Sequence, residues 1–265
     1  MSQAVARALS ILDRIASGTA TLTALAEAES VHKSTVLRLL QTLEAEGYVH
    51  HDGQHRYALG AQLFRLAQQA LDSFEVRVVA AERLRRLCDE IGQTVHLAVY
   101  EDGVVTYVDK LEPREAGVRM ASRIGHSAPL HCTAVGKVLL AGLAPARRAD
   151  LIAGLEFQPR TPNTLTTAEA LIAEVAEVAE RGWAQDHAEN ETFINCIGAP
   201  VFGADGSTLA AVSISVPDVL LPHQAVLDLV PVLLTATDEI SRDCGHTPDT
   251  HPRRSDPRPS GGTAR

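Results

Sequence analysis

The sequence predicts an α+β protein with a small, mainly helical N-terminal domain and a larger domain built on an antiparallel sheet flanked by helices. Up to about residue 90 the apolar residues recur at helical spacing, whereas from Gln93 they alternate with a period of two. An Asp-Gly pair, typical of a hairpin turn, stands at 52–53, 102–103 and 205–206. With 265 residues and 45% hydrophobic content, the chain can form two such domains.

The first 60 residues have the pattern of a winged helix-turn-helix. Helices are expected over residues 4–17, 19–26 and 33–46, with a tight break before the third. A strand, the Asp52-Gly53 turn and a second strand then occupy residues 48–59. Two short helices followed at once by a hairpin are typical of this fold. The apolar face expected for the first helix consists of Val5, Leu9, Leu12, Ile15 and Ala16.

The third predicted helix combines an apolar stripe with polar faces that suit nucleic-acid binding. Val36, Leu40 and Leu43 recur at helical spacing, which leaves the other faces for a partner. Polar side chains of this length reach base edges and phosphates in a major groove. The predicted DNA-binding residues are Lys33, Ser34, Thr35, Arg38, Gln41 and Thr42, with Arg56 from the hairpin. A winged helix that serves as a protein-interaction module remains an alternative.

The charge distribution makes a dimer the expected DNA-binding form. Residues 1–65 hold six basic and six acidic residues, whereas residues 66–245 carry a net charge of −11 and the whole chain −9. Because the acidic part repels DNA, binding depends on a local basic face. Lys33, Arg38 and Arg56 are the cations placed for it, and three per chain are few. We therefore expect a homodimer, which doubles the phosphate contacts.

The rest of the chain is expected to form a linker helix and a sensor-like domain. The linker helix covers residues 61–74 and is followed by a helix over 75–90. Strands are then expected at 93–99, 104–111, 118–122, 182–186, 194–202 and 208–216, and helices at 133–143, 145–153, 167–181 and 226–243.

This order of strands and helices over residues 75–245 indicates an antiparallel sheet flanked by helices, similar to sensor modules of the GAF or PAS kind. Pro231 favours a regular final helix that starts near Val230. Residues 246–265, rich in Pro, Arg, Ser and Gly, are expected to be a disordered tail.

Two segments of the larger domain are candidates for binding a small acid. A helix capped by Thr133 would present its first amides to an anion. Two serines share one face of the last strand, and a carboxylate and a thiol are expected on neighbouring strands. The predicted effector-binding residues are Ala134, Val135, Gly136, Asp186, Cys196, Ser213 and Ser215. This set suits a small hydroxy- or keto-acid. The alternatives are a plain capped helix packed on the sheet and serines that face water.

The sequence gives little support to catalysis, metal binding or membrane insertion. It contains no nucleophile elbow, P-loop, GxGxxG or HExxH motif, so no catalytic residue and no cofactor is assigned. A Cys-His nucleophile pair or a metal site from His131, Cys132, His187 and Cys196 is an alternative that lacks the required spacing. The cysteines form no CxxC pair, and no apolar leader or 18-residue apolar run occurs, which predicts a cytoplasmic protein without a membrane span.

Several motifs between residues 4 and 245 resemble the IclR family of bacterial transcription regulators. Residues 34–49 (STVLRLLQTLEAEGYV) and 57–60 (YALG) are similar to that family's recognition helix, wing entry and exit. Its C-terminal signature resembles residues 129–140 (PLHCTAVGKVLL), 182–186 (GWAQD), 196–201 (CIGAPV) and 213–215 (SIS). The resemblance implies a dimer, often a dimer of dimers, that binds pseudo-palindromic double-stranded operators and represses or activates catabolic genes. It also implies a small carboxylate effector, held by the predicted effector-binding residues.

Two departures from the family pattern concern the expected effector-binding pocket. Phe193-Ile194 stands where the family usually has Gly-Val, and Gly198 replaces a usual Ala. We expect the phenyl ring to narrow the pocket or reshape its rim. Residues 120–125 (MASRIG) resemble members that respond to sugar acids or keto acids. The expected function is a ligand-responsive repressor of a catabolic operon. The alternative is a metabolite-acting enzyme with an accessory winged helix.

Overall fold

The chain divides into two units, Met1–Phe74 and Glu75–Arg265. The computed structural model describes residues 3–52, 56–72, 75–113 and 120–247. The α+β class predicted from the sequence is confirmed, with helices and a hairpin in the first unit and a six-stranded sheet in the second. In the described ranges, no helix is both long and apolar enough to cross a membrane.

Unit 1 has the predicted order of three helices, a hairpin and a further helix. Its elements are α1 (Gln3–Ala16), α2 (Leu22–Ala28), α3 (Lys33–Ala45), β1 (Val49–His51), β2 (Tyr57–Leu59) and α4 (Ala61–Asp72). The two strands are antiparallel, with Val49 opposite Leu59. Arg56 extends the hairpin through an antiparallel bridge to Thr21. The predicted turn at Asp52-Gly53 lies partly outside the described residues.

Side-chain caps determine where the two central helices begin. The Thr21 hydroxyl accepts the Ala24 N–H at 3.3 Å, so α2 starts at Leu22, three residues later than predicted. His32 Nδ1 accepts the Ser34 N–H at 3.3 Å and caps α3. Between the helices, Ser30 adopts a left-handed conformation with φ of 55° and turns the chain.

The apolar face predicted for α1 is wrong in part. Ile11 and Ile15 are buried in one cluster with residues of α2 and α3. Val5 and Leu9, in contrast, are 59% and 58% exposed, and Ala16 is also exposed. Two isoleucines one turn apart form the contact stripe, so only the C-terminal half of the helix is covered.

Unit 2 is built on one sheet with the strand order β5-β4-β3-β8-β7-β6, in which every neighbouring pair is antiparallel. Its helices are α5 (Glu75–Ile91), α6 (Ala134–Ala141), α7 (Pro145–Ala153), α8 (Ala168–Arg181), α9 (His223–Leu227) and α10 (Val230–Asp243). Its strands are β3 (Thr94–Glu101), β4 (Val104–Leu111), β5 (Ser127–Ala128), β6 (Ala184–His187), β7 (Ile194–Phe202) and β8 (Thr208–Pro217).

Both faces of this sheet are covered. Helices α6 and α8 pack together over the face that carries Ala98 and Ala211. The alternate residues Ile197, Val212 and Ile214 project from the opposite face and are also fully buried. Helices α5 and α10 pack together and contact the central strands.

Three boundaries in unit 2 differ from the prediction. The strand expected at 118–122 lies partly outside the described residues, and residues 120–122 are not a strand; β5 takes the place beside β4. The last predicted helix is two helices, although Pro231 does lie in the first turn of α10 as expected. His246, assigned to the tail, contacts Phe202 and bonds to the Gly203 carbonyl. The rest of that predicted tail lies outside the described residues from 248 onward.

Candidate functional site

The polar edge of α3 is available to a partner, as the helical spacing predicted. Val36 and Leu40 are fully buried, which turns the opposite side of the helix outward. Thr35 is half-buried and is the least accessible residue of the predicted set. The exposed predicted DNA-binding residues are Lys33, Ser34, Arg38, Gln41, Thr42 and Arg56.

The cations predicted to contact DNA have no side-chain partner among the described residues, whereas a neighbouring cation is paired. In the described part of the chain, the side chains of Lys33, Arg38 and Arg56 have no hydrogen-bond or ion-pair partner. Arg14, in contrast, pairs with Glu29 at 2.6 Å and donates to the Ala28 carbonyl at 3.0 Å. Arg14 therefore holds α1 against the end of α2, and the other three keep their charge for a ligand.

Glu29 links α1 to the end of α2, just before the turn into α3. Its carboxylate accepts from the Ser10 hydroxyl at 2.6 Å and from Arg14. These hydrogen bonds, the one from Ser10 first, lower the pKa of Glu29, although burial acts against them. The ionised carboxylate therefore fixes the turn from which α3 projects.

A cavity of about 210 Å³ lies in unit 2 between the sheet and the start of α6. Pockets that hold drug-sized ligands are larger, roughly 300–1,000 Å³, so this one suits a small molecule. Six of the seven predicted effector-binding residues line it, namely Ala134, Val135, Asp186, Cys196, Ser213 and Ser215. The two serines are 3% and 4% exposed, which excludes the alternative that they face water.

The polar base of the cavity is a row of residues on neighbouring strands. Asp186 of β6 lies opposite Cys196 of β7, and Cys196 lies opposite Ser215 of β8. Ser213 lies opposite His96 of β3. Side chains directly opposite in an antiparallel sheet are close neighbours on one face. The four strands therefore present a carboxyl, a thiol, two hydroxyls and an imidazole side by side.

His96 is neutral and bridges two hydroxyls. Its Nε2 lies 2.7 Å from the Ser122 hydroxyl, and its Nδ1 lies 3.4 Å from that of Ser215. Burial, with a smaller contribution from the Lys110 charge, lowers the pKa of His96 to about 3. A neutral imidazole donates from one nitrogen and accepts at the other, so it orders both hydroxyls. Lys110 also donates to the Ser122 carbonyl at 2.9 Å and holds that residue in place.

Asp186 is a buried acid with an unusual pKa. Its carboxylate accepts the Glu189 N–H at 2.7 Å and the Asn190 N–H at 3.3 Å. Burial nevertheless raises the pKa of Asp186 to about 7, and the Glu189 charge adds to the rise. As the pH rises through about 7, the Asp186 side chain therefore changes from a neutral carboxyl, which donates a hydrogen bond, to an anion.

Gly136 is the predicted effector-binding residue that does not line the cavity. Its N–H donates to the Thr133 hydroxyl at 3.1 Å and is therefore already used by the helix cap. A Cβ at this position would lie 2.6 Å from the Pro129 carbonyl oxygen and 2.7 Å from that of Leu130. The glycine lets α6 approach the preceding segment, while Ala134 and Val135 line the cavity.

A buried ion pair fixes the loop beside Asp186. Lys137 of α6 is 1% exposed, and its Nζ donates to Glu189 Oε1 at 2.6 Å and to the Gln185 carbonyl at 2.8 Å. Two charges this close and this buried attract strongly, provided that further hydrogen bonds satisfy them. The pair therefore links α6 to the loop after β6.

Sequence reasoning missed several residues that line the cavity. His96 is a polar residue on a buried strand face, and the alternation of residues 94–98 could have indicated it. Arg160, Asn190 and Glu191 come from loops that no periodic pattern places.

Phe193 is 52% exposed and does not line the cavity, so its ring does not narrow the pocket as expected. Its neighbour Ile194 does line the cavity.

The alternative catalytic pair from cysteine and histidine is not formed. The His131 ring lies 3.2 Å from the Gln158 carbonyl, and within the described residues neither Cys132 nor Cys196 forms a hydrogen bond with a histidine. Burial raises the pKa of the Cys132 thiol to about 12 and that of Cys196 well above its usual value, so both stay protonated and are weak nucleophiles. Within the described ranges no three His, Cys, Asp or Glu side chains converge to hold a metal ion.

Comparison with protein families and curated proteins gives matches over most of the chain. A family model described as bacterial transcriptional regulator IclR C-terminal matches residues 68–242, and one described as IclR helix-turn-helix domain matches residues 4–53. The chain is 34% identical over 226 residues to the HTH-type transcriptional regulator KdgR of Escherichia coli (strain K12). That match covers 85% of this chain and 86% of the relative.

Solved structures show the same architecture. The crystal structure of the Thermotoga maritima IclR superposes with a TM-score of 0.80 at 31% identity, covering 93% of this chain and 100% of that one. An IclR homolog from Microbacterium hydrocarbonoxydans, complexed with 4-hydroxybenzoate, superposes with a TM-score of 0.76 at 24% identity. That match covers 89% of this chain and 98% of the homolog, and it shows a shared fold.

The tight contact at Gly136 can be tested by adding a single methyl group. Gly136→Ala should lower the free energy of unfolding by about 1–3 kcal/mol, because the methyl overlaps two backbone carbonyls. Gly154→Ala is the matched control, since its Cβ would lie 3.6 Å from the nearest atom. Thermal unfolding of both variants measures the difference. Equal melting temperatures would contradict the close packing of α6.

Proposed function

Because the chain belongs to the IclR family of bacterial transcriptional regulators, we propose that it binds operator DNA through α3 and the hairpin and responds to a small acid in the cavity of unit 2. The observation that carries the regulatory part is the polar cavity beside α6, lined from four adjacent strands. The proposed organisation is a DNA-binding domain over residues 1–60, a linker helix over 61–74 and an effector-binding domain over 75–245.

On the DNA side, the proposed contacts are the predicted residues of α3 together with Arg56. Arg38 and Gln41 are exposed and unpaired within the described residues, and their side chains suit base edges. Lys33 and Arg56 add phosphate contacts. Three cations per chain support only weak binding, so the proposed DNA-binding form is a homodimer on a two-fold operator in the cytoplasm.

On the effector side, the proposed ligand is a small organic or sugar acid. The amides of Ala134 and Val135 favour a carboxylate, because the start of a helix carries partial positive charge. Ser213, Ser215 and Asp186 supply hydrogen bonds for hydroxyl or keto groups. A protein with these features acts by binding, and we assign no catalytic step to it.

The proposed outcome is repression of a catabolic operon, relieved by the acid. A ligand changes DNA binding only by preferring one of two dimer states. A thermal-shift screen with sugar acids, keto acids and aromatic acids tests the ligand class, because binding to the folded state raises its melting temperature. If no acid of these classes raises that temperature, the proposed function fails.

Removal of Arg38 tests the DNA-binding surface. Arg38→Ala should weaken operator binding by about 1–3 kcal/mol, because an exposed guanidinium that contacts a base or phosphate is lost. Gel shifts at fixed salt concentration measure the affinity. Arg86→Ala, which removes an exposed arginine of unit 2, is the control and should leave the affinity unchanged. Unchanged binding by the Arg38 variant would remove α3 as the contacting element.

Replacing both serines tests whether the cavity is the effector site, independently of DNA binding. Ser213→Ala combined with Ser215→Ala should weaken binding of the acid found in the screen by about 1–3 kcal/mol, because two buried hydrogen-bonding groups are lost. DNA affinity without ligand should stay the same. Titration calorimetry and gel shifts measure the two quantities. A normal dose-response in the double variant would exclude this cavity as the effector site.

The pKa of Asp186 predicts how effector binding depends on pH. The neutral carboxyl donates to a hydroxyl or keto oxygen of the bound acid, whereas the ionised form repels the ligand's carboxylate, so binding favours uptake of a proton. With a pKa of about 7, affinity should be highest below pH 7 and fall by up to about tenfold per pH unit above it. Asp186→Asn should flatten this profile over pH 6–8. A pH-independent affinity of the unmodified protein would contradict the assignment.

A further inference from the structure

Arg160 stands apart from the residues that form the base of the cavity. It comes from the segment between α7 and α8 and lines the same cavity as the row on the sheet. Among the Lys and Arg residues that the structure describes, it is the one that lines this cavity. Its side chain is exposed, and within the described ranges its guanidinium has no hydrogen-bond or ion-pair partner.

The backbone of Arg160 is held in place although its side chain is unpaired. Its N–H donates to the Thr164 hydroxyl at 3.1 Å, and that hydroxyl donates to the Glu189 carbonyl at 2.6 Å. The neighbouring Thr161 hydroxyl donates to the Ala188 carbonyl at 2.7 Å. Both bonds attach this segment to the loop after β6, which also carries Asn190 at the cavity. The guanidinium therefore starts from a fixed point at the cavity and loses less freedom on binding a ligand.

The acidic residues that line the cavity leave the Arg160 guanidinium available to bind an anion. Two acidic residues, Asp186 and Glu191, also line the cavity, and neither lies within 4.0 Å of Arg160 as an ion pair in the described residues. The cavity thus has two places that attract an anion, namely the first amides of α6 and the guanidinium of Arg160.

We infer that the effector is a dicarboxylate, with one carboxylate at the start of α6 and a second on Arg160. This inference rests on the proposed function and adds the class of ligand to it. The planar guanidinium forms two parallel hydrogen bonds with a carboxylate, which a hydroxyl cannot match. Arg160 is accordingly a specificity-determining residue that separates diacids from monoacids of the same length.

The test compares matched acids that differ only in the terminal group. Titration calorimetry with the full chain measures D-glucarate against D-gluconate, galactarate against D-galactonate, and 2-oxoglutarate against 2-oxovalerate. At least one diacid should bind about tenfold or more tightly than its monoacid partner, because a charge-assisted bidentate contact is added. Arg160→Gln should bring that ratio close to one while changing the monoacid affinity less than about twofold.

Two further variants separate the contact from general electrostatics. Arg160→Lys keeps the positive charge but cannot form two parallel hydrogen bonds with a carboxylate. It should therefore retain part of the preference for the diacid over the monoacid. Arg147→Gln removes an exposed arginine of α7 outside the cavity and should leave the ratio unchanged.

Three results would overturn the inference: every monoacid of the panel binds as tightly as its diacid partner, Arg160→Gln weakens both ligands of a pair equally, or no diacid of the panel binds. The proposed function is unaffected by these results if another acid still raises the melting temperature of the protein and if its binding depends on Ser213 and Ser215. The proposed function fails separately if no acid binds.

Discussion

The ligand cavity depends on the register of four adjacent antiparallel strands. His96 lies opposite Ser213, Ser215 opposite Cys196, and Cys196 opposite Asp186. Because side chains alternate between faces, a slip of one residue in β8 would turn its serines towards the apolar face and bring Val212 or Ile214 into the cavity. On the opposite face of β8, Val212, Ile214 and Val216 are fully buried and apolar, and this strongly disfavours such a slip. The hydrophobic core therefore enforces the arrangement of the polar residues.

Polar contacts add to apolar packing in holding the loops around the cavity. Lys137 and Glu189 form a buried pair between α6 and the loop after β6. Thr164 attaches the segment that carries Arg160 to the same loop. Desolvation of two charges offsets much of their attraction, so such a pair contributes less to stability than to position. The loop that completes the cavity is thus fixed from the helix side and from the segment between α7 and α8.

Most of the fold and the base of the cavity could be predicted because they follow from periodicity and capping. The two-residue period over β8 placed Ser213 and Ser215 on one face, and Thr133 marked the start of α6. Residues on irregular segments, such as Arg160 and Asn190, have no periodic pattern and were missed. Gly136 was misjudged for a different reason. The cap by Thr133 was expected, but such a cap uses the N–H of the second or third helical residue, and here that residue is Gly136.

Thr133 sets the number of hydrogen-bond donors that α6 offers to an anion. Its hydroxyl accepts the Gly136 N–H and donates to the Pro129 carbonyl, and its own carbonyl accepts the Lys137 N–H. The amides of Ala134 and Val135 have no backbone acceptor in the part of the chain that the structure describes. Two donors satisfy the pair of oxygens of a planar carboxylate. A tetrahedral sulfate or phosphate would keep a third oxygen away from water with no donor from the helix, at a cost in free energy. At the proposed effector site, the start of this helix would therefore favour a planar carboxylate over a tetrahedral anion.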